Sequence, residues 1–155
     1  MTGQDAGSLD AAVASARGKL GLDAQEPART WSVASIEAGA SGFVLVVFGS
    51  AQRASAVAAV DPVSGEVLEA ARLPGRESHT PISADEAMSR AGVGSQAQAR
   101  LVWGPSPASR SRFYPIWELR TAERTVWVDS VRGVVWDTLE APLGGGSSGG
   151  GDPPR

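Results

Sequence analysis

The sequence predicts an α+β fold of two tandem units, each a helix followed by an antiparallel meander, packed into one body with a disordered Gly/Ser-rich C-terminal tail. Three observations carry this. The segment Asp61-Pro62-Val63-Ser64-Gly65-Glu66-Val67 returns as Asp129-Ser130-Val131-Arg132-Gly133-Val134-Val135, a D-x-V-x-G-x-V pattern at an offset of 68 residues. Self-similarity of this kind marks two copies of one structural unit. In both halves a stretch of helical periodicity precedes several strand-like runs, and residues 144–151 contain only Gly and Ser, the composition of a flexible linker.

The first unit reads as follows. Residues 8–20 form a helix in which Ser8 serves as N-cap and Leu9, Val13, Ala16 and Leu20 share one face. Gly18 weakens its end and Gly21 stops it. Residues 29–37 alternate Trp31, Val33 and Ser35 against Ser32, Ala34 and Ile36, a first strand that ends at the turn cluster Gly39-Ala40-Ser41-Gly42. Residues 43–48 are apolar on both faces, which places this strand centrally in a sheet and covered on each side. A third strand occupies residues 54–60. In the turn that follows, Asp61 caps its own backbone, Pro62 presets φ and Gly65 supplies positive φ, so residues 66–70 pair back as a hairpin.

Residues 73–82, carrying Pro74-Gly75 and Pro81, connect to the second unit. Ser83-Ala84-Asp85-Glu86 has the spacing of a capping box and opens a short helix to Arg90, with Ala87, Met88 and Ala91 inward and Gly92 and Gly94 at its end. Strands are expected over residues 99–103, 112–120, 125–129 and 134–139, with Gly104-Pro105-Ser106-Pro107 as a loop. Pro115 interrupts the second of these strands and implies a bulge or an edge position, because proline donates no ladder hydrogen bond. The organisation is a flexible N-terminus (1–7), a first unit (8–72), a connector (73–82), a second unit (83–142) and a flexible tail (143–155).

Composition narrows the function. With 155 residues, 42% of them hydrophobic and 20% charged, the chain belongs to the globular class and is long enough for a core. A net charge of -3 and a pI near 5.1 argue against a nucleic-acid surface, which draws on a concentrated basic field. The lack of cysteine excludes disulfides, thiol nucleophiles and Cys-based zinc sites, and a single histidine, His79, excludes His-rich metal sets. No metal or cofactor is expected. The N-terminus lacks a basic stretch followed by an apolar one, and no run approaches the roughly 18 apolar residues of a membrane span. The expectation is a soluble, cytoplasmic protein without membrane insertion.

Three groups of residues could carry function. Asp61 and Asp129 are read as turn caps, not catalytic acids, because turn chemistry accounts for their spacing from Gly65 and Gly133. His79, in the connector, is compatible with a general base oriented by Glu77 or Asp85, although no nucleophile signature accompanies it and a solvated loop histidine fits as well. The aromatics are the third group. Six of nine, Trp103, Phe113, Tyr114, Trp117, Trp127 and Trp136, lie in the second half. Alternation sets Phe113, Trp117 and Leu119 against Tyr114, Ile116 and Glu118, and turns Trp127 away from Val126 and Val128. Two readings remain open. The aromatics fill a core whose helix is short, or Arg112, Tyr114, Trp117, Arg124 and Trp127 contribute an exposed patch of the residue types enriched at interface hot spots. A dimer mate is a further way to cover that face.

A helix followed by a three-stranded meander, with a D-x-x-x-G-x-V hairpin near its end, resembles the PepSY domain, and two such units in tandem have a cystatin-like look. The resemblance covers residues 8–70 and 83–139 and rests on Asp61, Gly65 and Val67 and on Asp129, Gly133 and Val135. Tyr114-Pro115-Ile116-Trp117-Glu118-Leu119 also resembles the family's aromatic strand. The resemblance implies a non-catalytic unit, found in propeptides of secreted metallopeptidases and in membrane or envelope proteins, with inhibitory or protein-binding roles. With no export signal, membrane segment or peptidase in the chain as given, the expectation is a non-enzymatic accessory module for a protein or peptide partner, bound through the second unit's sheet face or a strand edge. The alternative is a small-molecule-binding or catalytic α+β cavity using His79, as in lyases or cyclases resembling nuclear transport factor 2.

Overall fold

A computed structural model describes residues 6–37, 39–75 and 77–139. The segments expected to be flexible at the two termini lie outside these residues, except for Ala6 and Gly7. The chain forms two helices and one eight-stranded mixed sheet, an α+β architecture. Helix α1 (Ala6–Leu20) leads into β1 (Ala28–Ser35), β2 (Phe43–Gly49), β3 (Ala54–Val60) and β4 (Val67–Arg72). Helix α2 (Ala84–Ala91) leads into β5 (Gln98–Trp103), β6 (Ile116–Arg120), β7 (Thr125–Asp129) and β8 (Val135–Trp136).

The sheet order is β4-β3-β2-β1-β5-β6-β7-β8, so each half spreads outward from a seam between the two first strands. Every neighbouring pair is antiparallel except β1 and β5. These run parallel through Ala34↔Val102 and Ser35↔Trp103, extended by the Ile36 amide donating to the Trp103 carbonyl at 3.1 Å.

Alternation along the strands decides what each face meets. Val44, Val46 and Phe48 of β2, with Ala56, Ala58 and Val60 of β3, pack beneath Ala12 and Ala16 of α1, flanked by Leu9, Val13 and Leu20. Leu45, Val47, Val57 and Ala59 point the other way. They form a second cluster with Val33, Phe43 and Leu101, covered by Leu73, Trp103, Phe113 and Trp117. β2 is buried along its whole length, as its apolar sequence predicts. Helix α2 sets Ala87, Met88 and Ala91 against Leu119 and Val128, and Trp117 belongs to this cluster too. The two helices therefore lie on opposite faces of the sheet. Pairing first strands in parallel while the meanders run outward relates the halves by a rotation about the strand direction, and that rotation exchanges the faces.

The two Asp-to-Gly turns have matching hydrogen bonds. The Asp61 amide donates to the Glu66 carbonyl at 2.8 Å and the Gly65 amide to the Asp61 carbonyl at 2.9 Å; the Asp129–Val134 and Gly133–Asp129 bonds are both 2.8 Å. Each Asp side chain accepts from the amides two and three residues on, Val63 and Ser64 in one turn, Val131 and Arg132 in the other. The amides of Ser64 and Val63 hold the Asp61 carboxyl below its ordinary value.

Several boundaries differ from the sequence expectation. Helix α1 begins at Ala6, so Ser8 lies inside it instead of capping it. Strand β6 starts at Ile116, not at residue 112, because residues 104–115 form a loop that lays Phe113 on the first half; the Pro115 carbonyl accepts from both the amide and the hydroxyl of Ser130. Strand β8 covers two residues of the expected six. The capping box is half formed: Ser83 Oγ accepts from the Glu86 amide at 3.1 Å, while the Glu86 carboxylate turns to Arg90 at 2.9 Å.

Gly65 and Gly133 both sit at φ 77°, the left-handed region. Gly65→Ala and Gly133→Ala should each lower stability by about 1–2 kcal/mol in urea denaturation. Gly133→Ala should lose more, because its new Cβ would stand 2.6 Å from the Arg90 guanidinium and displace it from Glu86. An alanine variant as stable as the parent would show that its turn is not left-handed in solution.

Candidate functional site

The five residues that the sequence groups as a binding patch occupy three places. Trp117 faces α2, where its indole N–H donates to the Ile82 carbonyl at 2.8 Å and its ring joins two core clusters. Arg112 and Tyr114 stand in the 104–115 loop. Arg112 binds Glu69 at 2.5 Å and lies 4.9 Å from the Trp103 ring centroid. Tyr114 is held between the His79 ring, 5.0 Å away, and the Arg132 guanidinium, 4.0 Å away. Trp127 and Arg124 are at the third place, β7 and the residue just before it. Trp127 projects from β7 opposite to the buried Val126 and Val128, and Arg124, just before β7, is 3.9 Å from the Asp137 carboxylate on the outer edge.

Around Trp127 the register builds a row across four strands. Arg100 lies beside Glu118, Glu118 beside Trp127, and Trp127 beside Trp136. Cross-strand neighbours share a face, so all four project from the side of β5–β8 opposite α2. Glu118 accepts from Arg100 at 3.1 Å and Arg120 at 3.4 Å, ion pairs beside the two indoles. Neither the Trp127 nor the Trp136 indole N–H has a hydrogen-bond partner among the described residues, although both nitrogens are buried. A buried donor left unpaired costs about 1–3 kcal/mol. Arg100, Glu118 and Trp136 lie outside the patch expected from the sequence. Alternation sets the face of each residue within its own strand, but joining Arg100, Glu118 and Trp136 on one face required the register.

His79 has a different setting from the solvated loop that the sequence suggests. It is 6% exposed, and Nε2 donates to the Phe113 carbonyl at 2.5 Å, pinning the 104–115 loop to the connector. It lines a cavity of about 290 Å³ with Glu77, Ser78 and Tyr114, but Asp85 stands on α2 outside that lining. Among the described residues no carboxylate is hydrogen-bonded to the ring. Burial pushes its pKa below 6.5, opposed by the Phe113 carbonyl and by Asp129 and reinforced by Arg132.

Among the described residues no group of three His, Asp or Glu side chains is placed to hold a metal ion. No helix among them is long and apolar enough to cross a membrane. In comparisons with known proteins, no family model matches the chain and no curated protein matches it. The fold and the Trp127–Trp136 face are what define it.

A lowered histidine pKa makes the neutral ring the native form, so its contribution to stability is complete above the ordinary value of 6.5 and declines as pH falls below it. Urea midpoints measured from pH 8 to pH 5 should drop for the parent chain and drop less for His79→Gln, which keeps an N–H donor without a titrating ring. Parallel curves would place the titration elsewhere.

Proposed function

We propose that the chain is two tandem PepSY-like units packed into one body and that it acts as a non-enzymatic accessory module, holding a protein or peptide partner on the β5–β8 face opposite α2 and along the free edge of β8. The observation that carries this reading is the Arg100–Glu118–Trp127–Trp136 row ending at that edge. Among the described residues strand β8 is the last in the sheet and pairs only with β7, and beside its aromatic row Val134 and Val135 are 48% and 41% exposed. An unpaired strand edge offers backbone donors and acceptors to an added strand, while tryptophan and arginine supply the large contact area and charge typical of interface hot spots. The matching hydrogen bonds of the two turns and the shared element order support the tandem reading. The absence of a carboxylate on His79 weighs against a catalytic dyad in the connector.

The test is a pull-down with the full chain as bait, followed by titration of whatever is captured against Trp127→Ala, Trp136→Ala and Arg124→Glu. Each tryptophan variant should weaken binding about thirtyfold, the scale of a hot-spot truncation, with its circular dichroism spectrum retained. Arg124→Glu, at an exposed position, should weaken binding with little change in stability. Folded variants that bind as the parent does would move the interface off this face.

A further inference from the structure

The carboxyl ends of β1 and β5 lie side by side and parallel, and the chains leaving them part: β1 turns back to β2 on one side, while β5 passes through the 104–115 loop to β6 on the other. Neighbouring parallel strands whose connections diverge leave a crevice outside their carboxyl ends, and it is in this crevice that open α/β sheets hold ligands. In this mixed sheet the same topology produces a cleft of about 530 Å³, within the size range of small-molecule sites. Phe43 and Trp103 give it an aromatic lining, their rings edge to face with centroids 6.3 Å apart.

The charges in the cleft are sorted by element. Both cations, Arg110 and Arg112, come from the 104–115 loop; the anions come from the opposite half, Glu37 after β1 and Glu69 from β4. Arg112 and Glu69 satisfy each other at 2.5 Å. Arg110 and Glu37 line the same cleft, both exposed, and neither side chain has an ion pair or hydrogen bond among the described residues. We propose that this cleft binds a zwitterion with an apolar body, of the amino-acid or dipeptide class, its carboxylate on Arg110, its ammonium on Glu37 and its side chain against Phe43 and Trp103. A simple anion would meet Arg110 but also face Glu37, and a simple cation the reverse. A ligand carrying both charges satisfies both groups. This site is independent of the β8 edge, since it uses no residue of β6, β7 or β8.

Isothermal titration calorimetry of the full chain tests it with three probes: alanyl-phenylalanine, its N-acetyl form and its C-terminal amide. The free dipeptide should bind saturably, and each blocked form about tenfold or more weakly, the scale of losing one charge-assisted hydrogen bond. Arg110→Ala and Glu37→Ala should each weaken the free dipeptide by a similar factor at an unchanged melting temperature, while Trp127→Ala leaves it unaffected. Should an alanine variant lower the melting temperature, Arg110→Gln and Glu37→Gln, close in size, replace it. The proposal is overturned if the parent chain shows no saturable binding, if a blocked form binds as tightly as the free dipeptide, or if a folded variant at Arg110 or Glu37 binds like the parent.

Discussion

The parallel contact between β1 and β5 is the constraint on which the rest of the molecule depends. Among the described residues the seam itself consists of two residue pairs and one further backbone bond, yet it merges two four-stranded meanders into a single sheet. Because it is parallel, it sends the two helices to opposite faces. Each half then has one face covered by its own helix and another that must be covered by something else. A small half-domain buries too little surface to leave a strand such as β2 open to water on one side.

The first half meets this requirement with chain from elsewhere. Its second face, small and aliphatic through Leu45, Val47, Val57 and Ala59, is roofed by Leu73 of the connector and by Trp103, Phe113 and Trp117 of the second half. Three of the aromatics concentrated in the second half are thus spent on covering the first. His79 and Ser130 tie that roof down, one holding the Phe113 carbonyl and the other the Pro115 carbonyl, while the Ser130 carbonyl accepts from the Ile82 amide of the connector. Among the described residues the second half has no equivalent loop over its own second face. At the repeat offset the buried Ala59, small and beneath that roof, becomes Trp127, and the exposed Leu68 becomes Trp136. Those indoles partly cover their own sheet and remain its most recognisable outward feature.

Much of the element inventory was legible in the sequence because it depends on local chemistry. The Asp61 and Asp129 turns follow from side-chain capping and a glycine at positive φ, the buried β2 from an uninterrupted apolar run, and the inward set of α2 from its spacing. The misplaced ends have local causes too weak to read in advance: Pro115 ended the strand instead of bulging within it, and among the described residues the short β8 has one neighbour to hold it. The candidate site was legible only in pieces. Arg112, Tyr114, Trp117, Arg124 and Trp127 are close in sequence and similar in kind, but a loop excursion and the two-residue alternation of strands sent them to three locations.

By itself, the sequence determined where the chain turns, which runs are helical or extended, and that one turn motif is used twice, since each of these is set by interactions within a few residues. Tertiary structure alone decided that the first strands pair in parallel, that the helices lie on opposite faces, that the second half roofs the first, and that Arg100, Glu118, Trp127 and Trp136 form one row. Those outcomes depend on register and on contacts between distant segments, which leave no periodic signature in the chain. A two-residue seam is too short to read from sequence, and it places both the cleft at its end and the aromatic face beyond it.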